Sequence, residues 1–487
     1  MADYDIGIIG GGAGGLTVAS GAAQFGAKAL LIEKEAQLGG DCLHFGCVPS
    51  KTLIKSAKVF HYMKTAQAFG LPGVDLPPVN FSQIAARIAG VIAAIQKHDS
   101  EERFCSLGAK VLFGEPVFTD EHTVDLDGKK ITADNWVIAT GSSTMVPPIP
   151  GLLECPHLTN RDIFSLDALP ESMIVLGGGP IGIEMSQAFA RLGCQVTVVE
   201  RNTQILGPED ADMAAIVQNV LEQEGLTFRM GCSAEEVKDL GNQRQLTIRT
   251  PEGKTETLVA REILVALGRK ANVEGLNLDA LSIKHSSRGI PVDKRCRTKH
   301  KHIYAVGDCN VGLQFTHVAG YEGGIALSNA ILHLPRKADY TWTPWCTYTD
   351  PEIGSVGMNE KRAKAAGIET KIFIEEFSDN DRALAEGQPI GQIKLVLDEK
   401  EKPLGVQVVG PDAGNIINQW VGILNGKVKL STVAGAIHPY PTLAEISKRV
   451  AGDIYAPKLY SEKVKKTLKF FFNLKGRACS LEASDDC

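Results

Sequence analysis

Two cysteines in a glycine-rich segment are the residues of this sequence best suited to redox chemistry. Cys42 and Cys47 lie in residues 39–51, which read GGDCLHFGCVPSK. A zinc knuckle would need a closer first pair and a second pair of ligands, and neither is present in the sequence. On one helical turn the two thiols would face the same way, and we expect them to be close enough to form a disulfide if that first turn is distorted. A helix N-terminus and the charge of Lys51 would stabilise a thiolate there.

The composition restricts the class of protein. A chain of 487 residues is too long for one core, so we expect two to four domains. The net charge of −6 gives no reason to expect a nucleic-acid partner. Without a long apolar run or a basic leader, we expect no membrane span, no signal peptide and a cytoplasmic location. In a reducing compartment, a cysteine pair able to form a disulfide is more often catalytic than structural.

A glycine fingerprint precedes the cysteine pair. Gly10, Gly12 and Gly15 fit the spacing G-x-G-x-x-G between a predicted strand and an alanine-rich helix. Such glycines permit a tight turn, the approach of a pyrophosphate to the backbone, and close packing of the helix. The next predicted strand ends on Glu33, an acid in the usual position to bind a ribose. The pattern predicts a dinucleotide-binding unit at the start of the chain.

The same pattern occurs a second time. Gly177, Gly179 and Gly182 follow another predicted strand, and the strand after the next helix ends on Glu200. In both copies, 23 residues separate the first glycine from the acid. We infer a duplicated nucleotide-binding unit, which predicts that the protein holds two different dinucleotides.

The remaining chain divides where its composition changes. Residues 52–106 are predicted to be mostly helical, and residues 111–138 to form β-structure. Residues 303–308 are predicted to form a strand that ends on Gly307 and Asp308, which is either an ordinary strand and turn or a carboxylate placed beside a cofactor's sugar chain. From Trp342 onward, the pattern indicates an antiparallel sheet with helices.

Together these motifs resemble the class I pyridine nucleotide-disulfide oxidoreductases, the flavoprotein disulfide reductases, over about residues 3–457. The resemblance implies an α/β fold with two Rossmann-like dinucleotide-binding domains, for FAD and NAD(P)H, and a C-terminal α+β dimerisation domain. The implied divisions are an FAD-binding domain (1–150), an NAD(P)H-binding domain (151–270), a continued FAD-binding domain (271–337), a dimerisation domain (338–457) and a basic amphipathic tail (458–487). A homodimer is expected, because the family completes each site with C-terminal residues of the partner chain.

The resemblance also implies residue roles. NAD(P)H would reduce FAD, and FAD would open a Cys42–Cys47 disulfide in which Cys47 faces the flavin and Cys42 meets the substrate. Lys51 and Glu184 would pair near the flavin. The residues implied in cofactor binding are Gly10, Gly12, Gly15, Glu33, Lys34, Gly40, Asp41, Thr140, Gly141, Gly177, Gly179, Gly182, Glu200, Gly268, Gly307, Asp308, Phe315, Thr316, His317 and Ala319.

Residues 438–445, HPYPTLAE, depart from the family pattern His-Pro-Thr-x-x-Glu. Tyr440 takes the place of the imidazole, His438 lies two residues earlier, and Glu445 is retained. A phenol with a pKa of ~10 is a poor base at neutral pH. A disulfide substrate needs its leaving thiolate protonated, whereas a soft metal ion held by thiolates does not. Mercuric reductase resembles this chain here, so we predict a mercuric-reductase-like enzyme whose acceptor is Hg(II) or another soft metal ion.

The sequence leaves alternatives open. If His438 reaches the site by a shift of the backbone, a dihydrolipoamide-dehydrogenase-like activity on a lipoyl or other disulfide substrate is expected instead. Cys479 and Cys487 either bind the substrate metal together with Cys42 and Cys47 or are plain tail thiols. Glu200 favours NADH over NADPH, because a carboxylate repels a 2′-phosphate, although Arg201 follows it.

The tail, residues 458–487, is basic and rich in phenylalanine. It predicts contact with a membrane surface or a partner protein, or else packing on the protein's own dimer. A flavin-bearing redox sensor or membrane-associated module is therefore the third functional alternative, in which the protein is peripheral at the membrane.

Overall fold

The computed structural model describes residues 1–476 and Ala478, and the chain forms two compact units, with the second beginning at Pro351. Within these described residues, no helix combines the length and apolar character needed to cross a bilayer.

The first unit, Met1–Asp350, is an α/β structure. Its strands are β1 (Tyr4–Ile9), β2 (Ala29–Glu33), β3 (Lys110–Phe113), β4 (Val117–Phe118), β5 (Thr123–Leu126), β6 (Lys129–Ile138), β7 (Ser142–Thr144), β8 (Ser172–Leu176), β9 (Gln195–Glu200), β10 (Thr227–Met230), β11 (Ser233–Asp239), β12 (Arg244–Arg249), β13 (Thr255–Ala260), β14 (Glu262–Val265), β15 (Arg269–Ala271), β16 (Ile303–Ala305) and β17 (Pro344–Thr347). Its α-helices are α1 (Ala13–Gln24), α2 (Gly40–His44), α3 (Cys47–Lys64), α4 (Phe81–Gln96), α5 (Glu101–Leu107), α6 (Pro180–Leu192), α7 (Ala211–Gln223) and α8 (Thr316–Ala330).

Two parallel sheets carry the two fingerprints. The parallel strands of the first have the order β3-β2-β1-β6-β16, with β5 and β4 added antiparallel from β6, and the second has the order β10-β9-β8-β14. In each sheet the strand before the fingerprint, β1 or β8, has its successor on one side and a later strand on the other. Ligands of such sheets bind beyond the carboxyl ends of the strands, at this reversal of strand order. The fold therefore predicts one binding cleft beside each fingerprint.

The central strands are apolar because both faces of the first sheet are covered. All five residues of β2 are buried, as expected for a parallel strand between two layers. Alternate side chains of the sheet enter two different cores. One core contains Ile6, Ile8, Leu31 and Val137, and the other contains Ile9, Ile32, Trp136 and Ile138.

The late strand β16 pairs in parallel with β6. Residues 303–305 therefore return to the first sheet, after residues 172–265 have formed the second sheet and a separate antiparallel sheet of β11, β12 and β13. This arrangement is what a returning FAD-binding segment requires. The particular domain boundaries at residues 150, 270, 337 and 457 stay a prediction.

The second unit contains an antiparallel sheet in the order β18-β21-β20-β19. Its strands are β18 (Glu352–Gly357), β19 (Thr370–Glu376), β20 (Gln392–Asp398) and β21 (Pro403–Gly410). Its α-helices are α9 (Glu360–Ala365), α10 (Asp381–Ala385), α11 (Ala413–Asn425), α12 (Leu430–Gly435), α13 (Ile446–Asp453), α14 (Ala456–Leu459) and α15 (Glu462–Phe472). Helix α11 packs on β18 and β21, and α13 packs on β19 and β20. The Trp420 indole joins these two helices by donating to Ser447 Oγ at 3.0 Å.

Candidate active site

The two cysteines lie on either side of a break between helices. Cys42 belongs to α2, and Cys47 is the first residue of α3. Gly46 interrupts the helix with φ −128° and ψ −115°, and a Cβ at this position would lie 2.9 Å from the Asp41 carbonyl oxygen. The thiols therefore do not share one continuous helical turn, and the expected distortion of that turn is a break in the helix at Gly46. The glycine ends one helix and begins the next while it keeps the thiols within hydrogen-bonding distance.

The two thiols differ in acidity. Both are free, and a hydrogen bond from Cys42 is the main cause that lowers the pKa of Cys47 to about 6. Desolvation opposes this effect, while the Thr316 hydroxyl, 3.4 Å from the Cys47 sulfur, and the charge of Lys51 support it. The same hydrogen bond, with burial, raises the pKa of Cys42. At neutral pH the pair therefore consists of one thiolate and one thiol.

Lys51 is held in place by two contacts, with Glu184 and with the Tyr348 ring. It lies one turn after Cys47 on α3, and its Nζ is 2.7 Å from Glu184 Oε2. Glu184, on α6, is only 5% exposed, and its Oε1 accepts a hydrogen bond of 2.8 Å from the Tyr348 amide. The Lys51 ammonium also lies 4.5 Å from the centre of the Tyr348 ring, a distance typical of a cation–π contact. The predicted pair of Lys51 and Glu184 is present, and Tyr348 is a neighbour that the sequence motifs did not indicate.

A cleft of about 740 Å³ lies at the carboxyl ends of β1 and β6. Eight residues that the resemblance assigned to cofactor binding line it: Gly10, Gly12, Glu33, Lys34, Gly40, Asp41, Thr140 and Gly141. The floor requires glycine, because a Cβ at Gly40 would lie 2.7 Å from the Gly12 Cα. The backbone thus leaves room for a pyrophosphate at the N-terminus of α1. The volume of the cleft is in the range of cofactor sites, so the lining residues fit FAD.

Glu33 is positioned for a ribose. The carboxylate is buried at the end of β2, where Oε2 accepts from the Gly11 amide at 2.6 Å and Oε1 from the Glu35 amide at 2.8 Å. Each carboxylate oxygen retains a second lone pair, which a sugar hydroxyl can use.

The second fingerprint reproduces these contacts at a second cleft, of about 550 Å³, beside β8 and β14. Glu200 Oε2 accepts from the Gly178 amide at 2.7 Å, as Glu33 does from Gly11. Gly177, Gly179, Glu200 and Gly268 line this cleft, which fits a pyridine nucleotide. In both copies the third glycine has a packing role: a Cβ at Gly15 or Gly182 would overlap the carbonyl oxygen of the first glycine.

Asp308 is the carboxylate that follows β16. Its Oδ2 accepts a hydrogen bond of 2.6 Å from the Ser142 hydroxyl, and burial raises its pKa. Gly307, which precedes it, has φ +70° and donates its amide to the buried Glu322 at 2.7 Å. This glycine lets the chain turn so that Asp308 follows the strand directly.

Arg269 and Asn160 are functional candidates that the sequence motifs did not indicate. Arg269 Nη2 lies 2.9 Å from Asp41 Oδ2, and its Nε donates to Ser142 Oγ at 2.7 Å. Asn160 Nδ2 donates to Asp41 Oδ1 and to the Phe45 carbonyl, both at 3.0 Å. These contacts fix the residue that precedes Cys42. The only sequence signal was the position of Arg269 directly after Gly268.

The remaining predicted cofactor residues lie at the start of α8. Phe315 is its N-cap residue and stacks on His317, with 5.3 Å between ring centres. The His317 Nε2 lies 2.9 Å from the Pro344 carbonyl oxygen. Thr316 contacts Cys47, and Ala319 packs beneath Gly307. The segment therefore contacts the thiol site through Thr316.

The predicted acid–base residues lie in the second unit. The Tyr440 hydroxyl donates to Asp381 Oδ2 at 2.7 Å, and this hydrogen bond raises the pKa of the phenol, to which the charge of Glu445 also contributes. His438 lies with Nδ1 3.2 Å from the Ala436 carbonyl oxygen and Nε2 3.3 Å from Gln419 Nε2. Cys479 and Cys487 lie outside the described residues.

Comparison with known proteins assigns the family. Residues 4–323 match the family described as "Pyridine nucleotide-disulphide oxidoreductase", and residues 343–451 match its dimerisation domain. The chain belongs to the pyridine nucleotide-disulfide oxidoreductases. The predicted fold class and enzyme class are thereby confirmed, and so is the use of FAD and a pyridine nucleotide. The dimerisation domain supports a homodimer.

Relatives of this oxidoreductase have different named activities. It is 34% identical to a mercuric reductase of Bacillus cereus over 449 residues, which are 91% of this chain and 70% of that protein. It is also 34% identical to a dihydrolipoyl dehydrogenase of Bacillus subtilis over 464 residues, with 91% of this chain and 96% of that protein covered. Among solved structures, the HOCl-induced flavoprotein disulfide reductase RclA from Escherichia coli matches with a TM-score of 0.82 at 26% identity. The match covers 92% of this chain and 99% of the RclA chain.

The oxidoreductase should keep its Cys47 thiolate down to about pH 6. Because the folded protein lowers this pKa, the thiolate predominates above that pH, and protonation removes it as the pH falls further. The check is a pH titration, in the reduced dithiol protein, of the long-wavelength absorption that a thiolate gives beside oxidised flavin. Cys42→Ala, which lacks the hydrogen-bond donor, should raise the midpoint, whereas Cys42→Ser retains a hydroxyl and should raise it less. Equal midpoints in all three proteins would contradict the hydrogen-bond explanation.

Proposed function

We propose that this oxidoreductase passes electrons from a reduced pyridine nucleotide, through FAD and the Cys42–Cys47 pair, to a soft metal ion, with Hg(II) as the leading candidate. The observation that carries the proposal is Tyr440. Its hydroxyl is engaged by Asp381, and its pKa is raised, so the residue in the acid–base position holds its proton at neutral pH. An acceptor that needs no proton transfer suits such a site.

The thiols supply the metal chemistry. A thiolate is the ligand that soft metal ions prefer, and Cys47 is already a thiolate at neutral pH. Cys42 lies beside it, so two sulfur ligands would hold one ion. When bound, FAD supplies the transfer of two electrons from the pyridine nucleotide towards the cysteine pair. The net reaction is NAD(P)H + Hg(II) → NAD(P)⁺ + H⁺ + Hg(0), in which mercury gains both electrons. Cys479 and Cys487 are proposed as further ligands during delivery of the ion.

The residues that line the two clefts are proposed to bind the two cofactors. Gly10, Gly12 and Glu33 would hold FAD, and Gly177, Gly179 and Glu200 would hold the pyridine nucleotide. Asp308, which accepts from the Ser142 hydroxyl at the edge of the first cleft, is proposed to contact the FAD sugar chain. Lys51 and Glu184 are proposed to act beside the flavin as a pair. Lys51 also stabilises the Cys47 thiolate.

NADH is proposed as the preferred reductant. Both oxygens of Glu200 are oriented by hydrogen bonds, from the Gly178 amide at 2.7 Å and from the Asn202 amide at 2.7 Å, so the carboxylate is fixed where a ribose would lie. A fixed carboxylate accepts from a 2′-hydroxyl and repels a 2′-phosphate. We expect kcat/KM to be higher for NADH than for NADPH. The variant Glu200→Ser should reduce this preference, measured as kcat/KM for NADH divided by kcat/KM for NADPH. A wild-type preference for NADPH would contradict the proposal.

The names of some relatives support the proposal that the electron acceptor is a metal ion. Mercuric reductases are among the relatives, and one solved structure of RclA is described as a Cu(II) complex, with a TM-score of 0.83. Dihydrolipoyl dehydrogenases are similarly identical, so relatedness alone does not choose the acceptor.

The deciding experiment is anaerobic stopped-flow mixing of the NADH-reduced holoenzyme with Hg(II) and, separately, with oxidised lipoamide. Repeated NADH oxidation with Hg(II), with less than about a hundredth of that turnover on lipoamide, is expected, because an unavailable base costs 10²–10⁴-fold. Tyr440→Phe should leave the Hg(II) rate nearly unchanged. Turnover of lipoamide with inhibition by Hg(II) would overturn the proposal.

The second candidate function is a dihydrolipoamide-dehydrogenase-like reaction on a lipoyl or other disulfide substrate. It is favoured by His438, an imidazole two residues before Tyr440. The ring is held by two contacts, with Nε2 3.3 Å from the Gln419 amide nitrogen and Nδ1 3.2 Å from the Ala436 carbonyl oxygen. If lipoamide is turned over, His438→Gln should abolish that activity and identify the base.

We also propose that the enzyme makes a further contact through residues 458–487, with a membrane surface or with a partner protein. The support is α15, whose residues are not buried by the described chain.

A further inference from the structure

Helix α15 presents two chemically different sides. Ser461 caps it by accepting a hydrogen bond from the Val464 amide at 3.5 Å. At 100° per residue, Val464, Leu468 and Phe471 fall on one side of the helix. The opposite side carries Lys465, Lys466 and Lys469. No residue of the helix is fully buried by the described part of the chain, and of its apolar side only Val464 is half-buried.

The apolar end of α15 is unusual in its exposure. Phe470, Phe471 and Phe472 are 81%, 72% and 69% exposed. Consecutive helical residues point about 100° apart, so these three rings project in three directions. A groove on a protein accepts one stripe of side chains at i, i+3, i+4 and i+7. Phe470 and Phe472 project about 100° to either side of Phe471, so the three rings form an apolar face wider than such a stripe, and a wide apolar face suits a helix that lies in a bilayer interface.

The charge on the segment has the sign that an anionic bilayer attracts. Between residues 459 and 476 there are five lysines and one acid, whereas the whole chain has a net charge of −6. The one acid, Glu462, pairs with Lys465 at 2.7 Å. The other four lysines are available to contact lipid headgroups: Lys463, Lys466 and Lys469 on the helix and Lys475 after it. Their aliphatic stems can lie along the apolar layer while the ammonium groups stay in water.

We infer that α15 is a binding site for an anionic lipid bilayer, with the phenylalanines inserted and the lysines on the headgroups. The site goes beyond the electron-transfer function and does not depend on which acceptor is reduced. It would place the enzyme at a surface where anionic lipid is exposed, and the attraction would be screened by salt.

The test is co-sedimentation of the full-length holoenzyme with vesicles of phosphatidylcholine alone and of phosphatidylcholine mixed with phosphatidylglycerol. Binding to the mixed vesicles is expected, with a partition constant at least about tenfold higher than for the neutral ones, and binding should fall as salt is added. The variant Phe470→Ser/Phe471→Ser/Phe472→Ser should lose at least about tenfold in the same constant.

A charge-matched pair of variants separates the site from general electrostatics. Lys463→Glu/Lys466→Glu/Lys469→Glu should bind mixed vesicles at least about tenfold more weakly. The control Lys110→Glu/Lys129→Glu/Lys130→Glu makes the same change at exposed lysines of the first unit and should bind as wild type does. All variants should retain NADH turnover in solution. Equal binding by the two charge variants would overturn the inference. So would an absence of vesicle binding, particularly if the phenylalanine variant alters the oligomeric mass, which would place α15 against a second copy of the chain.

Discussion

Replacing Cys42 by serine should lower acceptor turnover by about a thousandfold or more, because it removes one of two sulfurs that act as a unit. Serine keeps a hydroxyl that can donate to Cys47, so the Cys47 thiolate and the surrounding helices should persist. The flavin should still be reduced by NADH. Anaerobic stopped-flow measurement of flavin reduction, followed by steady-state turnover with Hg(II) and with lipoamide, separates these two steps.

Cys105→Ser is the matched control for this variant. Cys105 is an exposed free thiol on α5 and is outside the active-site cluster. Its replacement should leave turnover with both acceptors unchanged. If Cys42→Ser retained full turnover, electrons would reach the acceptor without the cysteine pair, and the proposed thiol chemistry would be wrong.

Replacing Gly182 by alanine should destabilise the second nucleotide-binding unit by about 2–3 kcal/mol, the upper range for overpacking. A Cβ at this position overlaps the Gly177 carbonyl oxygen, which is backbone and cannot rotate away. Helix α6 would have to move away from β8, and Glu184 on this helix would move with respect to Lys51. We expect a lower melting temperature, weaker NADH binding and slower flavin reduction.

Gly179→Ala distinguishes packing from ligand contact. Gly179 has φ −78°, and nothing lies within 4 Å of an added Cβ, yet the residue lines the second cleft. Its melting temperature should equal that of the wild type, while the KM for NADH rises. If Gly182→Ala had the same melting temperature as the wild type, the backbone would be able to relax around the added Cβ, and the packing role of this glycine would be refuted.

The sequence predicted the strands, turns and helices that are determined by residues close together in the chain. The strands before the fingerprints, and the acids Glu33 and Glu200 at the ends of the following strands, were predicted because both copies place a turn, a helix and a strand within the same interval of 23 residues after the first glycine. The repetition extends to single hydrogen bonds, from Gly11 to Glu33 and from Gly178 to Glu200.

The omissions concern contacts that spacing alone does not determine. Cys42 and Cys47 were predicted on one distorted turn because their spacing permits it, but spacing does not show that the distortion is a break at Gly46, which closely approaches the Asp41 carbonyl. Arg269 was missed because its partner Asp41 is 228 residues earlier, and a side chain's distant partner leaves no periodic signal. Tyr348 was missed for the same reason, since it acts on Glu184 through a backbone amide.

The unequal acidity of the two thiols changes how strongly acid competes with a metal ion. Two ordinary thiols release two protons when they bind a divalent ion, so their affinity falls about a hundredfold for each unit of acidification. Here Cys47 has already lost its proton above pH 6, and only Cys42 must release one. Affinity should therefore fall about tenfold per unit between neutrality and pH 6. Such a site would continue to capture a metal ion in mildly acidic surroundings in which an ordinary thiol pair would lose it.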